Sequence, residues 1–217
     1  MKIQILVLSC LADPYDKLMA AQQETWDSIE VPNVSTMYYY GGGAGLTTLT
    51  SYSKEFGTDS LDNIESAHWK YRLALQEAIK EDWDFIFRTN SSSYIDKKRL
   101  VKFARSLPSE KCYCGIDGDG FASGAGYFIS RDCAKLLINS IQEKLDLWMI
   151  EDVYTGQLLA KEGISVTPGA QRVDYYWGED PSKRLDPAYH FRCKSNTEDR
   201  SLDIKAFDWL FENNTDK

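Results

Sequence analysis

Hydrophobic and polar residues follow two periods along this chain, and stretches of one period alternate with stretches of the other. Lys2–Ser9 is almost continuously apolar, which predicts a buried strand covered on both faces. After the loop Cys10–Pro14, Tyr15–Trp26 reads as a helix. Val34–Tyr40 (VSTMYYY) reads as a second strand that runs into Gly41, Gly42, Gly43 and Gly45. From Asp62 to Lys80, Ile64, Ala67, Tyr71, Leu75, Ala78 and Ile79 recur at helical spacing, and Trp83–Thr89 (WDFIFRT) returns to strand character. Asp96 stands where the cap of a further helix belongs, and Pro108 stops that helix after Leu107.

The second half continues the alternation. Cys112–Ile116 and Gly126–Ser130 are predicted strands on either side of a glycine-rich turn, and Ser130 is placed to cap Arg131–Ile141, with Ala134, Leu137, Ile138 and Ile141 inward. Trp148–Gly163 holds a helix whose start carries the acidic pair Glu151 and Asp152, with Val153, Leu159 and Ala160 on one apolar face. Ile164–Thr167 predicts a strand, Pro168–Gly169 a turn and Leu202–Phe211 a last helix. Such alternation predicts an α/β protein with a mostly parallel central sheet flanked by helices, holding ligands at the carboxyl ends of its strands. With no repeat and no linker, the 217 residues form one domain.

Composition narrows the function. A net charge of −8 argues against a protein that tracks nucleic-acid phosphates. The five cysteines contain no CxxC pair, which disfavours a zinc site or a disulfide framework and suits reduced thiols in a cytoplasm. No apolar run approaches a membrane span, and the apolar core near the N-terminus is too short for a typical signal peptide. The glycine cluster after Tyr40 is followed by neither a P-loop nor a GxGxxG pattern, so a flexible site loop or a plain connection fits it better than a phosphate cradle.

Two stretches carry candidate chemistry. Carboxylates at the start of a helix serve either as caps for free N–H groups or as chemical groups, and Glu151 and Asp152 are open to both readings. The strand WDFIFRT runs out into Asn90, Ser91, Ser92 and Ser93, where α/β proteins place ligand-binding groups. Arg192 and Lys194 follow His190 in HFRCK, and Arg88 precedes the polar run. They form either a solvated basic strand edge or a local phosphate site within an acidic protein. His190 is either a ligand or a structural histidine, and Lys70 and Trp69 read as packing and surface residues. Tyr175, Tyr176 and Trp177 offer rings on which an apolar ligand face can stack.

Four separated stretches resemble one family in its own order. Gln22–Trp26 (QQETW) resembles R-Q-A-I-R-E-T-W without its arginines, and RTNSSSYID resembles K-T-D-D-D-V-F-V-N with Arg88 and Thr89 at its head. Gly124–Ser130 (GAGYFIS) resembles G-G-G-Y-V-L-S, and Ile150–Gly156 (IEDVYTG) resembles E-D-V-Y-V-G, the most specific of the four. The chain is thus similar to the GT-A glycosyltransferases, in particular to Fringe and the β-1,3-galactosyl- and N-acetylglucosaminyltransferases. That resemblance implies a Rossmann-like GT-A domain with a nucleotide-binding part over about residues 1–96 and an acceptor and catalytic part over about 97–217. It implies transfer of a sugar from a nucleotide-sugar donor, usually a UDP-sugar, to a hydroxyl of a glycan, glycolipid or glycoprotein.

By the same resemblance Asp152 is the general base of an inverting displacement, with Glu151 positioning or capping beside it. Leu8, Ser9, Cys10 and Tyr40 border the nucleotide, and Arg88, Asn90, Ser91, Ser92, Arg192 and Lys194 meet the rest of the donor. Gly124, Gly126 and Trp177 face the acceptor. The family holds Mn2+ (Mg2+ being the other candidate) with D-x-D carboxylates, but here Asn90, Ser91 and Ser92 stand in their place. Three arrangements are open: weak ligation by Asn90, Ser92 and His190; replacement acids from Asp117 or Asp119; or a metal-free site in which cations neutralise the departing diphosphate. A retaining transferase and an inactive nucleotide- or glycan-binding relative are the alternative functions. A sugar-nucleotide pyrophosphorylase is disfavoured, because the glycine- and lysine-rich N-terminal signature expected of one is absent.

Overall fold

The structure is a computed structural model that describes residues 1–49, 53–145, 149–176, 179–181 and 188–213. Its organising strand is β1 (Ile3–Leu8), where alternation sends Ile3, Ile5 and Val7 to one face of a sheet and Leu6 to the other. β2 (Val34–Tyr40) and β5 (Phe85–Asn90) lie parallel on either side of β1, with Ile5 opposite both Thr36 and Phe87. β4 (Lys54–Gly57) extends the parallel set beyond β2, and β3 (Leu46–Leu49) closes that margin antiparallel. On the other side, β5 pairs antiparallel with β8 (Ala122–Ser130), which pairs antiparallel with β7 (Tyr113–Asp117). The seven-stranded order is therefore β3-β4-β2-β1-β5-β8-β7, parallel at its centre and antiparallel at both margins.

Helices cover both faces. α1 (Tyr15–Glu24), α3 (Lys97–Ala104) and α6 (Ser201–Asn213) enclose one core with the Ile3, Ile5 and Val7 face. α2 (Ala67–Ala78), α4 (Arg131–Ser140) and α5 (Glu151–Lys161) enclose the other with Leu6, Met37, Ile86 and Tyr127. A three-stranded sheet, β6 (Ser93–Ile95), β10 (His190–Lys194) and β9 (Arg172–Tyr176), sits against the first core. The connection after β1 crosses on the α1 face and the connection into β5 on the α2 face. They diverge at the carboxyl ends of β1 and β5 and leave a crevice there, the topological switch point at which such sheets bind ligands. No helix among the described residues is long and apolar enough to cross a membrane.

The structure departs from the expected elements in instructive places. The helix expected from Asp62 begins only at Ala67, and Ile64 is exposed instead of inward, because Asp62 and Asn63 are engaged as hydrogen-bond acceptors in the preceding turn. Asp96 does cap α3, accepting from the Arg99 N–H at 2.9 Å. Ser130 does not cap α4: its hydroxyl donates to Asp132 and accepts from the Cys112 N–H at 2.9 Å, so it serves the sheet edge. On α5 the buried face is Thr155, Leu158 and Leu159, while Val153 is only half-buried and Ala160 is exposed. Ile164–Thr167 makes a single bridge, Cys114 to Thr167, in place of a strand. β3, β4 and β6 carried no clear sequence pattern, being short and, for β3, exposed on both faces.

One buried ion pair joins distant parts of this frame. Lys97, at the start of α3, donates to the Asp27 carboxylate at 2.6 Å and to the carbonyls of Asp27 and Ile29 at 2.8 and 3.2 Å, and Thr36 donates to the same carboxylate. Removing one partner strands the other charge in the core. Lys97→Met is therefore expected to lower the unfolding free energy in urea by about 3–5 kcal/mol. The double variant Asp27→Asn with Lys97→Met should recover part of the loss, since it leaves no lone charge.

Candidate functional site

At the carboxyl ends of β1 and β5 lies a cavity of about 460 Å³. Leu8, Ser9 and Cys10 from the end of β1 and Asn90, Ser91 and Ser92 from the end of β5 line it, together with Arg192 and Lys194 from β10. Sequence reasoning placed these eight residues at one donor site, and the fold brings them to one cavity. It also adds residues that had not been assigned to a site: Tyr15, Asp62, Asn63, Ile64, Ala67, Lys70 and Arg200 complete the described lining. Lys70 is not a surface residue as expected but is buried, with its ammonium 3.0 Å from Asp62. Burial alone would raise the Asp62 carboxyl, but donation from the Gly41 N–H, Lys70 and the Leu11 N–H holds it below the usual carboxylate range.

The loop after β5 is fixed from several directions. Ser91 N–H donates to the Leu8 carbonyl at 3.2 Å, and Cys193 N–H on β10 donates to the Ser92 carbonyl at 2.7 Å. That second bond brings Arg192 and Lys194, which share one face of β10, beside the loop. The Arg200 guanidinium donates to the Ser92 hydroxyl at 2.9 Å while pairing with Asp203, and no sequence pattern had marked it. Gln22, fully buried on α1, donates to the carbonyls of Ser93 at 2.6 Å and Asn90 at 3.2 Å. The QQETW segment therefore braces the floor of the cavity from below. Two buried atoms on the cavity's lining residues, Ser9 Oγ and Arg192 Nε, have no hydrogen-bond partner among the described residues.

Arg88 lies apart from the cavity. It is buried on β5 and forms an ion pair with Glu151, whose carboxylate also accepts from Tyr127 Oη at 3.0 Å. Its charge thus serves Glu151, a departure from its expected donor role. Burial pushes the Glu151 carboxyl up from its usual range, against the opposing charge of Arg88, and the neighbouring Asp152 adds to the rise. Burial disfavours the charged guanidinium of Arg88, but Glu151 together with Tyr39, Tyr127 and Tyr71 more than offsets it and raises its pKa. Glu151 is consequently an anchor, with no free edge for a substrate.

Asp152 points elsewhere. Half-buried and in no ion pair among the described residues, it accepts the Gly124 N–H at 2.7 Å and its neighbour's N–H, that of Val153, at 2.9 Å. The Gly124 carbonyl in turn accepts from Asn90 Nδ2 at 3.2 Å, so a single residue of β8 separates Asp152 from the cavity wall. A methyl group at Gly124 would come within 2.9 Å of Asp152 Oδ2 and 3.0 Å of Arg88 Nη1. One at Gly126 would strike the His190 ring at 2.5 Å. These glycines, expected at the acceptor, are required for close packing beneath Asp152 and His190. Tyr40 is not on the cavity lining: its hydroxyl lies 3.4 Å from Glu55. Trp177 lies outside the described residues.

The donor atoms do not suit a divalent cation. Mn2+ and Mg2+ favour hard anionic oxygens. Asn90 Oδ1 already accepts the Ser92 N–H at 3.0 Å, and the Ser92 hydroxyl is held by Arg200. His190 is buried, 2.9 Å from the Ser93 hydroxyl, and does not line the cavity. Asp117 and Asp119 belong to the β7–β8 turn, where Asp117 accepts the Gly120 N–H at 3.0 Å, away from the cavity lining. Among the described residues no group of three or more His, Cys, Asp or Glu side chains is placed to hold a metal ion.

No protein-family model and no curated protein matches this sequence. Among solved structures, the chain is similar to a mannosyltransferase from Pyrobaculum calidifontis, solved in complex with GDP-Man and Mn2+, with a TM-score of 0.51 and 10% identity. The similarity covers 77% of this chain and 54% of that one, so this chain matches about half of that protein's length. At that identity the likeness is one of fold alone, a central sheet flanked by helices on both faces.

Two measurements follow from the geometry. Glu151→Ala, which strands Arg88, should lower stability by about 3–5 kcal/mol, whereas Asp152→Ala, which removes only a half-exposed acceptor, should cost about 1 kcal/mol; urea titrations separate the two. Burial, with Arg172 and Arg192 adding, holds His190 well below its ordinary value and therefore neutral. Below the unfolded value of about 6.5, the unfolded chain binds a proton that the folded chain refuses, so stability falls as pH drops from about 6.5 to 5. His190→Gln should flatten that slope.

Proposed function

We propose that this protein is a glycosyltransferase that takes a nucleoside diphosphate sugar in the cavity at the ends of β1 and β5 and transfers its sugar to an acceptor hydroxyl. The observation that carries this reading is the juxtaposition of a cation-lined cavity at the sheet's switch point with Asp152 one residue beyond its wall. The fold likeness to a mannosyltransferase complexed with GDP-Man supports the donor class. The narrower kinship with the β-1,3-transferases, the UDP base and the hexosyl group rest on the four sequence stretches alone. The five cysteines are all free, which suits a cytoplasmic setting.

In this reading the nucleoside lies against Leu8, Ser9 and Cys10, and the diphosphate lies over the Asn90–Ser92 loop. An acceptor hydroxyl oxygen forms the new bond to the anomeric carbon on the face opposite the diphosphate. The bond from that carbon to the phosphate oxygen breaks, and the nucleoside diphosphate leaves with the electron pair. Asp152 accepts the hydroxyl proton as the new bond forms, which raises the oxygen's nucleophilicity when it is needed. Single displacement inverts the anomeric centre. Glu151, locked to Arg88 and Tyr127, takes no proton and holds the end of α5 in place.

The test is a transfer assay over UDP-, GDP- and dTDP-sugars with anomeric analysis of the product by NMR. Asp152→Asn keeps the acceptor oxygen for Gly124 but loses the base, so kcat should fall by about 10²- to 10⁴-fold with donor affinity unchanged. A retained anomeric configuration would replace the inverting reading with a retaining one. Donor binding with no turnover in the native protein would make it a binding relative.

A further inference from the structure

The cavity gathers cations, and Asp62, the only carboxylate among its described lining residues, is already taken by Lys70 and the N–H groups of Gly41 and Leu11. We propose that Arg192, Lys194 and Arg200 together neutralise the donor's diphosphate in place of a divalent cation. This rests on the nucleotide-sugar reading of the same cavity and adds to it how the leaving group is held.

Three observations converge. First, the loop that would present metal ligands is already spent: Asn90 is bonded to Ser92 and Gly124, and the Ser92 hydroxyl is bonded to Arg200. A guanidinium therefore sits where a D-x-D loop would need a cation, tied to the loop directly. Second, the positive charge is in excess. Among the described lining residues, Lys70 is matched by Asp62 and Arg200 by Asp203, while Arg192 and Lys194 are in no ion pair. Burial lowers the pKa of the Lys194 ammonium, and the charges of Arg192 and Arg200 add to the effect, with Asp203 opposing it. Third, the cavity's lining residues hold unmade bonds. Among the described residues, the hydroxyl of buried Ser9 has no partner, and neither has the buried donor Arg192 Nε. Buried polar groups left without partners are uncommon, and here both belong to residues that line one cavity.

The arrangement is also rigid. β10 is hydrogen-bonded on both sides, to β6 and β9, and Arg200 is buried against Asp203. Fixed cations need no reorganisation when negative charge gathers on the departing diphosphate, which is the role a metal ion fills elsewhere.

Calorimetric titration of the full chain with UDP, GDP, ADP and dTDP, in buffer with EDTA and again with Mn2+, tests this directly. At least one nucleoside diphosphate should bind in EDTA with an affinity within about threefold of its value in Mn2+. Its monophosphate should bind more weakly, and added salt should weaken both. Arg192→Gln and Lys194→Gln should each reduce diphosphate affinity by about tenfold. Binding seen only with Mn2+ overturns the cationic triad and leaves the donor site standing. Undiminished affinity in both variants also overturns it. No binding by any of the four in either buffer overturns both this inference and the nucleotide-sugar reading.

Discussion

The contact between Arg88 and Glu151 is the constraint on which the site depends. Two charges removed from water are costly unless each finds its partner and further hydrogen bonds. Here Tyr127 donates to the Glu151 carboxylate, and the Arg88 guanidinium lies 5.9 Å from the Tyr127 ring centroid. The pair joins the central strand β5 to the first residue of α5 across 63 positions of sequence. Because Glu151 must turn inward to meet Arg88, the next residue cannot. A helix advances about 100° per residue, so Asp152 is carried round to the β8 edge, where Gly124 presents an N–H to it. One acid thus anchors the helix and leaves its neighbour accessible, and the dipole at the helix start favours negative charge on both.

The cavity inverts the protein's overall charge. A chain with a net charge of −8 directs Lys70, Arg192, Lys194 and Arg200 to one crevice, against Asp62 as the only carboxylate among its described lining residues. In an acidic protein such a patch is a local field focused by low-dielectric walls, and it selects anions by place more than by bulk attraction. The elements that create it are sheet edges and loops bonded backbone to backbone, which explains how flexible side chains are held close to one another. Glycines complete the fit. Gly124 and Gly126 let Asp152 and His190 approach β8 more closely than any side chain there would allow.

The sequence contained most of the fold because the fold is written in local periods. The continuous apolar run of β1, the VSTMYYY strand, the helical spacing in α2 and the cap at Asp96 are each legible within a window of about a dozen residues. The short exposed strand β3 and the three-residue strand β6 were not, since neither buries enough of a face to leave a pattern. The cavity lining was legible where it lies at the carboxyl end of a strand, as for Leu8, Ser9, Cys10 and Asn90–Ser92, because switch-point geometry follows from strand order.

What the sequence determined by itself is therefore the α/β class, the strand ends at which the cavity opens, and the acidic pair at the start of α5. Which acid is buried and which is free, that Lys70 turns into the cavity, and that Arg200 and β10 close over the Ser92 loop were decided only by the tertiary structure. The reason is physical: burial and pairing of a charge depend on groups tens of residues away. Periodicity reports which face a side chain takes but carries no record of the partner waiting there.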